Sequence, residues 1–122
     1  MKIRITVGNV SLEAELNDSP TAKKIASILP FEGGFQTWGD EIYFEIPVSA
    51  GLEPGAKEEV SVGDLGYWPP GNAFCIFFGP TPMSHGDKII PASAVNIVGR
   101  VLGDATRLKE VMGESRVVLE AI

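Results

Sequence analysis

The sequence predicts a mainly β fold: a closed antiparallel barrel of about eight strands with a short helix capping each end. Three observations predict it. Fourteen glycines and nine prolines among 122 residues are spread as punctuation between short apolar segments, the pattern of a chain with many turns. Within those segments apolar residues fall mostly on every second position, while two short stretches follow a helical period. An antiparallel sheet with that many hairpins removes its exposed edges outright only by closing on itself. The length suits one domain over residues 1–122.

The elements follow in order. Ile3, Ile5 and Val7, then Val10, Leu12, Ala14 and Leu16, mark strands over 2–7 and 10–16, with Gly8-Asn9 supplying the positive φ of a tight turn. Ser19-Pro20-Thr21-Ala22 opens a helix: Ser19 can cap it, and Pro20 sits where a missing donor costs nothing. Ala22, Ile25, Ala26 and Leu29 form its apolar stripe, and Pro30 stops it. Residues 31–38 and 41–48 read as strands joined at Gly39-Asp40, the second with Ile42, Phe44 and Ile46 on one face and Glu41, Tyr43 and Glu45 on the other.

A polar loop occupies 49–59, followed by a short strand over 60–62 and another over 65–68. Ala73 to Phe78 is apolar at every position, which predicts burial on both faces. A second long loop covers 79–94, and a strand spans 95–102. Asp104 caps a short helix with Leu108, Val111 and Met112 inward, ended by Gly113, and a last strand runs over 116–122.

Composition narrows the function. Sixteen acidic against ten basic residues give a net charge of −6, which argues against nucleic acid or an anionic membrane as partner. No stretch approaches the ~20 apolar residues of a membrane helix, and Glu13 and Glu15 interrupt any leader-like run. The expectation is a soluble, cytoplasmic protein. One cysteine and one histidine cannot build a disulfide or the usual zinc sites. No cofactor or metal is expected. Gly33-Gly34, Gly63 and Gly66 lack the spacing of a phosphate loop.

The element order resembles the cyclophilin fold in reduced form. Ser19-Pro20-Thr21-Ala22 is similar to the helix start that plugs one end of the cyclophilin barrel, and Val95-Asn96-Ile97-Val98-Gly99-Arg100-Val101 to the strand before its closing helix. Thr37-Trp38-Gly39-Asp40-Glu41-Ile42-Tyr43-Phe44 and Gly63-Asp64-Leu65-Gly66-Tyr67-Trp68-Pro69-Pro70-Gly71 resemble the small prokaryotic cyclophilin-like proteins of unassigned function. Cyclophilins proper are peptidyl-prolyl isomerases, and the resemblance implies one arginine donor beside a proline-gripping pocket on the outer face. Residues 35–43 contain no arginine or lysine; they offer Asp40 and Glu41. The family's pocket phenylalanine aligns with Cys75. The fold carries over and the isomerase residues do not.

The strongest constellation is Trp38, Glu41 and Tyr43, with Thr37 beside them and Tyr67 and Trp68 from a nearby strand. The pleat points Glu41 and Tyr43 outward, where aromatics beside a carboxylate can hold a cationic or ring-bearing ligand. The competing reading has the tryptophans packing over a barrel rim. His85, in Met83-Ser84-His85-Gly86-Asp87, is the one side chain that ordinarily titrates near neutrality. A Ser84–His85–Asp87 relay competes there with a solvated loop histidine. Cys75 reads as a nucleophile or as an inert core thiol, and Glu53 to Glu59 as a solvated loop. Three functions remain open: a non-catalytic module binding a peptide or small molecule; an isomerase with other donors, for which Arg4, Arg100, Arg107 or Arg116 would have to reach the groove; and a homo-oligomer that buries the aromatics.

Overall fold

The structure, a computed structural model, describes residues 1–122. β1 (Lys2–Val7) and β2 (Val10–Leu16) form the opening hairpin, with Val7 opposite Val10 and Gly8 at φ +56. Their alternating apolar residues all face one side and are buried. α1 (Pro20–Ser27) begins under the Ser19 hydroxyl, which accepts from the Ala22 amide at 3.3 Å. It buries Thr21, Ala22 and Ile25 and stops short of Leu29.

The remaining strands are β3 (Phe31–Gly34), β4 (Gln36–Thr37), β5 (Glu41–Glu45), β6 (Asp64–Trp68), β7 (Ala73–Phe77), β8 (Asn96–Val101) and β9 (Arg116–Ala121). All pair antiparallel in the order β3-β9-β1-β2-β8-β6-β7-β5-β4. The two ends of that order are consecutive in the chain, separated by Phe35 alone. The sheet therefore curls into a nearly closed nine-stranded barrel whose seam lies between β3 and β5. One stacked pair spans the seam, Phe31 on Phe44 at 5.6 Å between centroids, and Phe44 stacks in turn on its ladder partner Phe74 at 5.4 Å.

Several boundaries differ from the sequence expectation. The strand expected over 31–38 is two, because β3 hydrogen-bonds β9 whereas β4 hydrogen-bonds β5, and the chain changes partner at Phe35. Residues 60–62 form no strand; Val60 makes only an isolated bridge to Ile89. Pro69–Gly71 makes a 3-10 turn closed by Asn72 at φ +47. The closing helix, Ala105–Val111, is 3-10 rather than α, capped by the Asp104 carboxylate, which accepts from the Thr106 amide at 3.0 Å. It buries Ala105, Leu108 and Val111, while Met112 is half-buried.

Two cores result. The large one fills the barrel. The smaller lies outside it, where Val60, Ile89 and Val95 cover Ala73, Cys75 and Phe77 of β7. The run 73–78 is thus buried on both faces, and Phe77 alone contributes about 2–3 kcal/mol of transfer free energy on the outer side. The covering segments are tied down by main-chain bonds: Lys57 and Val95 exchange two, at 2.8 and 2.9 Å, and Val60 donates to Ile89 at 3.0 Å. The Ser84 hydroxyl accepts from the amides of Thr81 and Ile90 at 2.9 and 3.0 Å, so the long loop 79–94 is a knotted cover. No helix is long and apolar enough to cross a membrane.

Candidate functional site

The site grows from the pleat of β5. Ile42 and Phe44 enter the barrel, and Glu41 and Tyr43 emerge on its outer face. Glu41 stands opposite Phe77 and Tyr43 opposite Cys75 on β7, so four side chains share one patch of outer surface. From β6, Trp68 joins the same face, and the cover supplies Pro91, Ala92 and Val95. With Trp38 these enclose an open hollow of about 220 Å³.

Each wall is fixed by a named contact. The turn between β4 and β5 carries Gly39 at φ +60, where an added Cβ would lie 2.7 Å from the Pro80 carbonyl oxygen. This turn is latched to the cover: the Asp40 amide donates to that same oxygen at 2.9 Å, and the Phe78 amide donates to the Asp40 carbonyl at 3.0 Å. Trp38 is held in turn by its amide, which donates to the Glu41 carbonyl at 3.0 Å. The Trp68 ring rests against Gly71, where a Cβ would stand 3.0 Å from it, and its Nε1 donates to Ser93 Oγ at 2.7 Å. The Tyr43 hydroxyl donates to Gln36 Oε1 at 2.8 Å.

Glu41 is only 6% exposed, a correction to the expectation of a solvent-facing carboxylate. The pleat direction is as read from the sequence, but loop 79–94 folds over it. Burial in this apolar setting pushes the carboxyl up from 4.5 to about 7, partly offset by the neighbouring Cys75 thiol. The same burial, reinforced by the neighbouring Glu41 carboxylate, holds the Cys75 thiol well above its ordinary range. The protein gives Glu41 no countercharge: the ion pairs are Arg4–Glu120, Lys109–Asp40 and Arg116–Glu32, and no arginine or lysine lines the hollow.

Of the residues singled out in the sequence, Trp38, Glu41, Tyr43 and Trp68 line this one hollow. Tyr67 does not. Alternation along β6 sends it inward with Leu65, fully buried, where its hydroxyl donates to the Val48 carbonyl at 2.6 Å. Thr37 is exposed on β4 and lines no wall. His85 is exposed beside a separate shallow groove with Lys57, Glu58, Glu59 and Lys88. Ser84 is occupied in knotting its loop and makes no bond to His85. The sequence reading passed over Pro91, Ala92 and Val95, because nothing in a loop's composition says which strand face it covers.

A second feature escaped sequence reasoning altogether. Thr21 and Asn96 are buried polar residues that bond each other at 3.0 Å, Asn96 Nδ2 donating to Thr21 Oγ1. Asn96 Nδ2 also donates to the Gly51 carbonyl at 2.9 Å and its Oδ1 accepts from the Glu53 amide at 2.8 Å, while the Glu53 carboxylate accepts from the Thr21 amide and hydroxyl. Every member is satisfied, which marks a structural joint between α1, loop 49–59 and β8.

Comparison with known proteins agrees with this architecture. The solution structure of the hypothetical protein AF2241 from Archaeoglobus fulgidus is similar at 42% identity and a TM-score of 0.83, over all of this chain and 95% of that one. McbB, solved in complex with tryptophan, shares the fold at 13% identity and a TM-score of 0.71; the similarity spans 97% of this chain and 44% of that longer one. None of the curated proteins matches. The sequence model of the family described as Cyclophilin-like matches residues 1–120, and with that match the chain belongs to the cyclophilin-like family.

Proposed function

We propose that this protein is a non-catalytic binding module that takes a small molecule, or one side chain of a peptide, into the hollow between β5, β6 and the cover. One observation carries the reading: a nearly buried carboxyl faces an open, aromatic-walled hollow and has no cationic partner in the protein. An unpaired buried ionisable group is costly to stability and is characteristic of sites that meet an external group. Three aromatic side chains around one polar group also match the usual make-up of a small-ligand site.

Prolyl isomerisation has less support. A donor to the amide nitrogen is what that reaction needs, and Arg4 and Arg116 are engaged with Glu120 and Glu32. Arg100 and Arg107 do not line the hollow either. Shared fold alone carries little weight for activity. A cytoplasmic setting belongs to the same proposal, supported by a lone buried thiol that takes part in no disulfide.

The test is a panel of small amines, rings, acids and prolyl peptides titrated into the labelled protein and followed by NMR. The expected result is a ligand that shifts the indole resonances of both Trp38 and Trp68, with the shifts lost in Trp68→Leu. Tryptophan, the ligand named with McbB, belongs in the panel because it combines a ring with an ammonium group; the likeness of fold assigns it nothing. Turnover of a prolyl peptide above background would overturn the non-catalytic reading, and a concentration-dependent dimer that covers both indoles would replace it with self-association.

A further inference from the structure

The chemistry of the walls narrows what the hollow can take. This inference rests on the binding role proposed above and names its ligand class. We propose that the hollow receives an alkylated ammonium head, a cation without exposed N–H groups, seated against Trp38, Tyr43 and Trp68 with Glu41 as its countercharge.

Charge is the first argument. The only ionisable groups facing the hollow are Glu41 and Tyr43 of β5 and Cys75 of β7; β6 and the cover contribute Trp68, Pro91, Ala92 and Val95, none of them titratable. Asp40, next in the chain, pairs with Lys109 at 3.7 Å instead of entering. A ligand that lets Glu41 ionise must therefore bring its own positive charge.

Donor count is the second argument. The Tyr43 hydroxyl is used by Gln36 and the Trp68 Nε1 by Ser93. An anion or a carbonyl-rich ligand would find these two polar tips already engaged. Besides the Trp38 Nε1, which has no hydrogen-bond partner in the protein, the rings leave free their π faces, which attract cations.

Acceptor count is the third. A primary ammonium brings three N–H donors that each need an acceptor once dehydrated. Here one carboxylate with two oxygens stands among largely apolar walls, so at least one of the three donors finds no carboxylate partner. Methyl groups in place of those hydrogens remove the mismatch and gain dispersion contacts with Pro91, Ala92 and Val95. A volume of about 220 Å³ holds such a head and a short tail, not a long chain.

The experiment is calorimetric titration of the full chain at pH 8 with choline and with 3,3-dimethylbutan-1-ol, its uncharged isostere. Choline is expected to bind about tenfold more tightly. Because the Glu41 carboxyl sits at about 7, affinity for choline is also expected to fall about tenfold from pH 8 to pH 6. Glu41→Gln should remove the pH dependence and reduce the preference for charge to the part the aromatic faces supply. Trp68→Leu, a second variant that keeps Glu41, should weaken both compounds and choline the more, because it loses a π face as well as apolar contact. The acetylated, amidated derivative of trimethyllysine supplies the same head on a peptide side chain, and its affinity relative to choline tells whether the head arrives free or carried. Equal affinity for the uncharged isostere would overturn the ammonium assignment and leave the hollow as an apolar site. Silence from these compounds and from the whole NMR panel would overturn the binding role itself.

Discussion

The Glu41 carboxyl and the Cys75 thiol meet diagonally across the β5–β7 ladder, and both are held toward their protonated forms. Neither would behave this way on an open sheet. The outer core places them in a setting poor in water, where a charge on one raises the cost of a charge on the other.

The first consequence is a stability that depends on pH. The Glu41 carboxyl is about 7 in the folded chain against 4.5 ordinarily. The folded state holds the proton more tightly, so its contribution is fully present below pH 4.5 and is lost as pH rises through 7. The loss amounts to about 3 kcal/mol, complete by about pH 8. Urea unfolding of Glu41→Gln and the parent at a series of pH values should show the variant gaining relative to the parent over that window. A constant difference would place the carboxyl in water.

Cys75 should be inert despite lining an open hollow. Its thiolate fraction is suppressed, and the thiolate is the reactive form. Alkylation by iodoacetamide at pH 8 should proceed far more slowly than in the urea-unfolded chain. Comparable rates would show that the thiol is neither buried nor suppressed.

Tyr67→Phe should cost about 1–2 kcal/mol by leaving the buried Val48 carbonyl without its phenolic donor. Ligand shifts at the indoles of Trp38 and Trp68 should be unaltered, since Tyr67 faces the barrel interior. Chemical denaturation reads the first effect and NMR titration the second.

Thr21→Val and Asn96→Ala should each cost about 1–3 kcal/mol. The double variant should cost less than the sum, because either change already dismantles the joint between α1, loop 49–59 and β8. Additive losses in a double-mutant cycle would show that the two residues act separately.

Gly99→Ala should be among the most damaging single methyl additions. The new Cβ would lie 2.1 Å from the Glu15 carbonyl oxygen, in the backbone of the neighbouring strand. β2 and β8 would have to part, breaking the pairing at Leu16 and Glu15. The expected reading is a fall in melting temperature well beyond that of Gly55→Ala, where nothing lies within 4 Å.

Much of the barrel was legible in the sequence because its signals are local. Alternation in β1, β2 and β5, the Ser19 cap and the unbroken apolar run of β7 each follow from a few adjacent residues. What was illegible depends on distant partners. The break at Phe35 exists because β3 and β4 pair with different strands, which no local pattern records. Val60 looked like a strand because it is apolar, yet its burial comes from lying against Ile89 in a covering loop. The candidate site divides the same way. The face of Glu41 follows from the pleat, while its depth depends on where Pro91 and Ala92 come to rest. Tyr67 was misplaced because adjacent strand residues point to opposite faces, and grouping it with Trp68 ignored that.

The seam at Phe35 has a mechanical consequence. Because β3 and β4 are one uninterrupted stretch of backbone, the cylinder is fastened there by covalent bonds and by the stacking of Phe31 on Phe44, without a continuous ladder. The weakest zip of the wall therefore begins just past Tyr43, whose own pairing with Gln36 is the last on that side. Breathing of the cylinder starts next to the hollow, and deuterium should enter the amide of Glu45, on the side of β5 away from β7, before it reaches the opening hairpin.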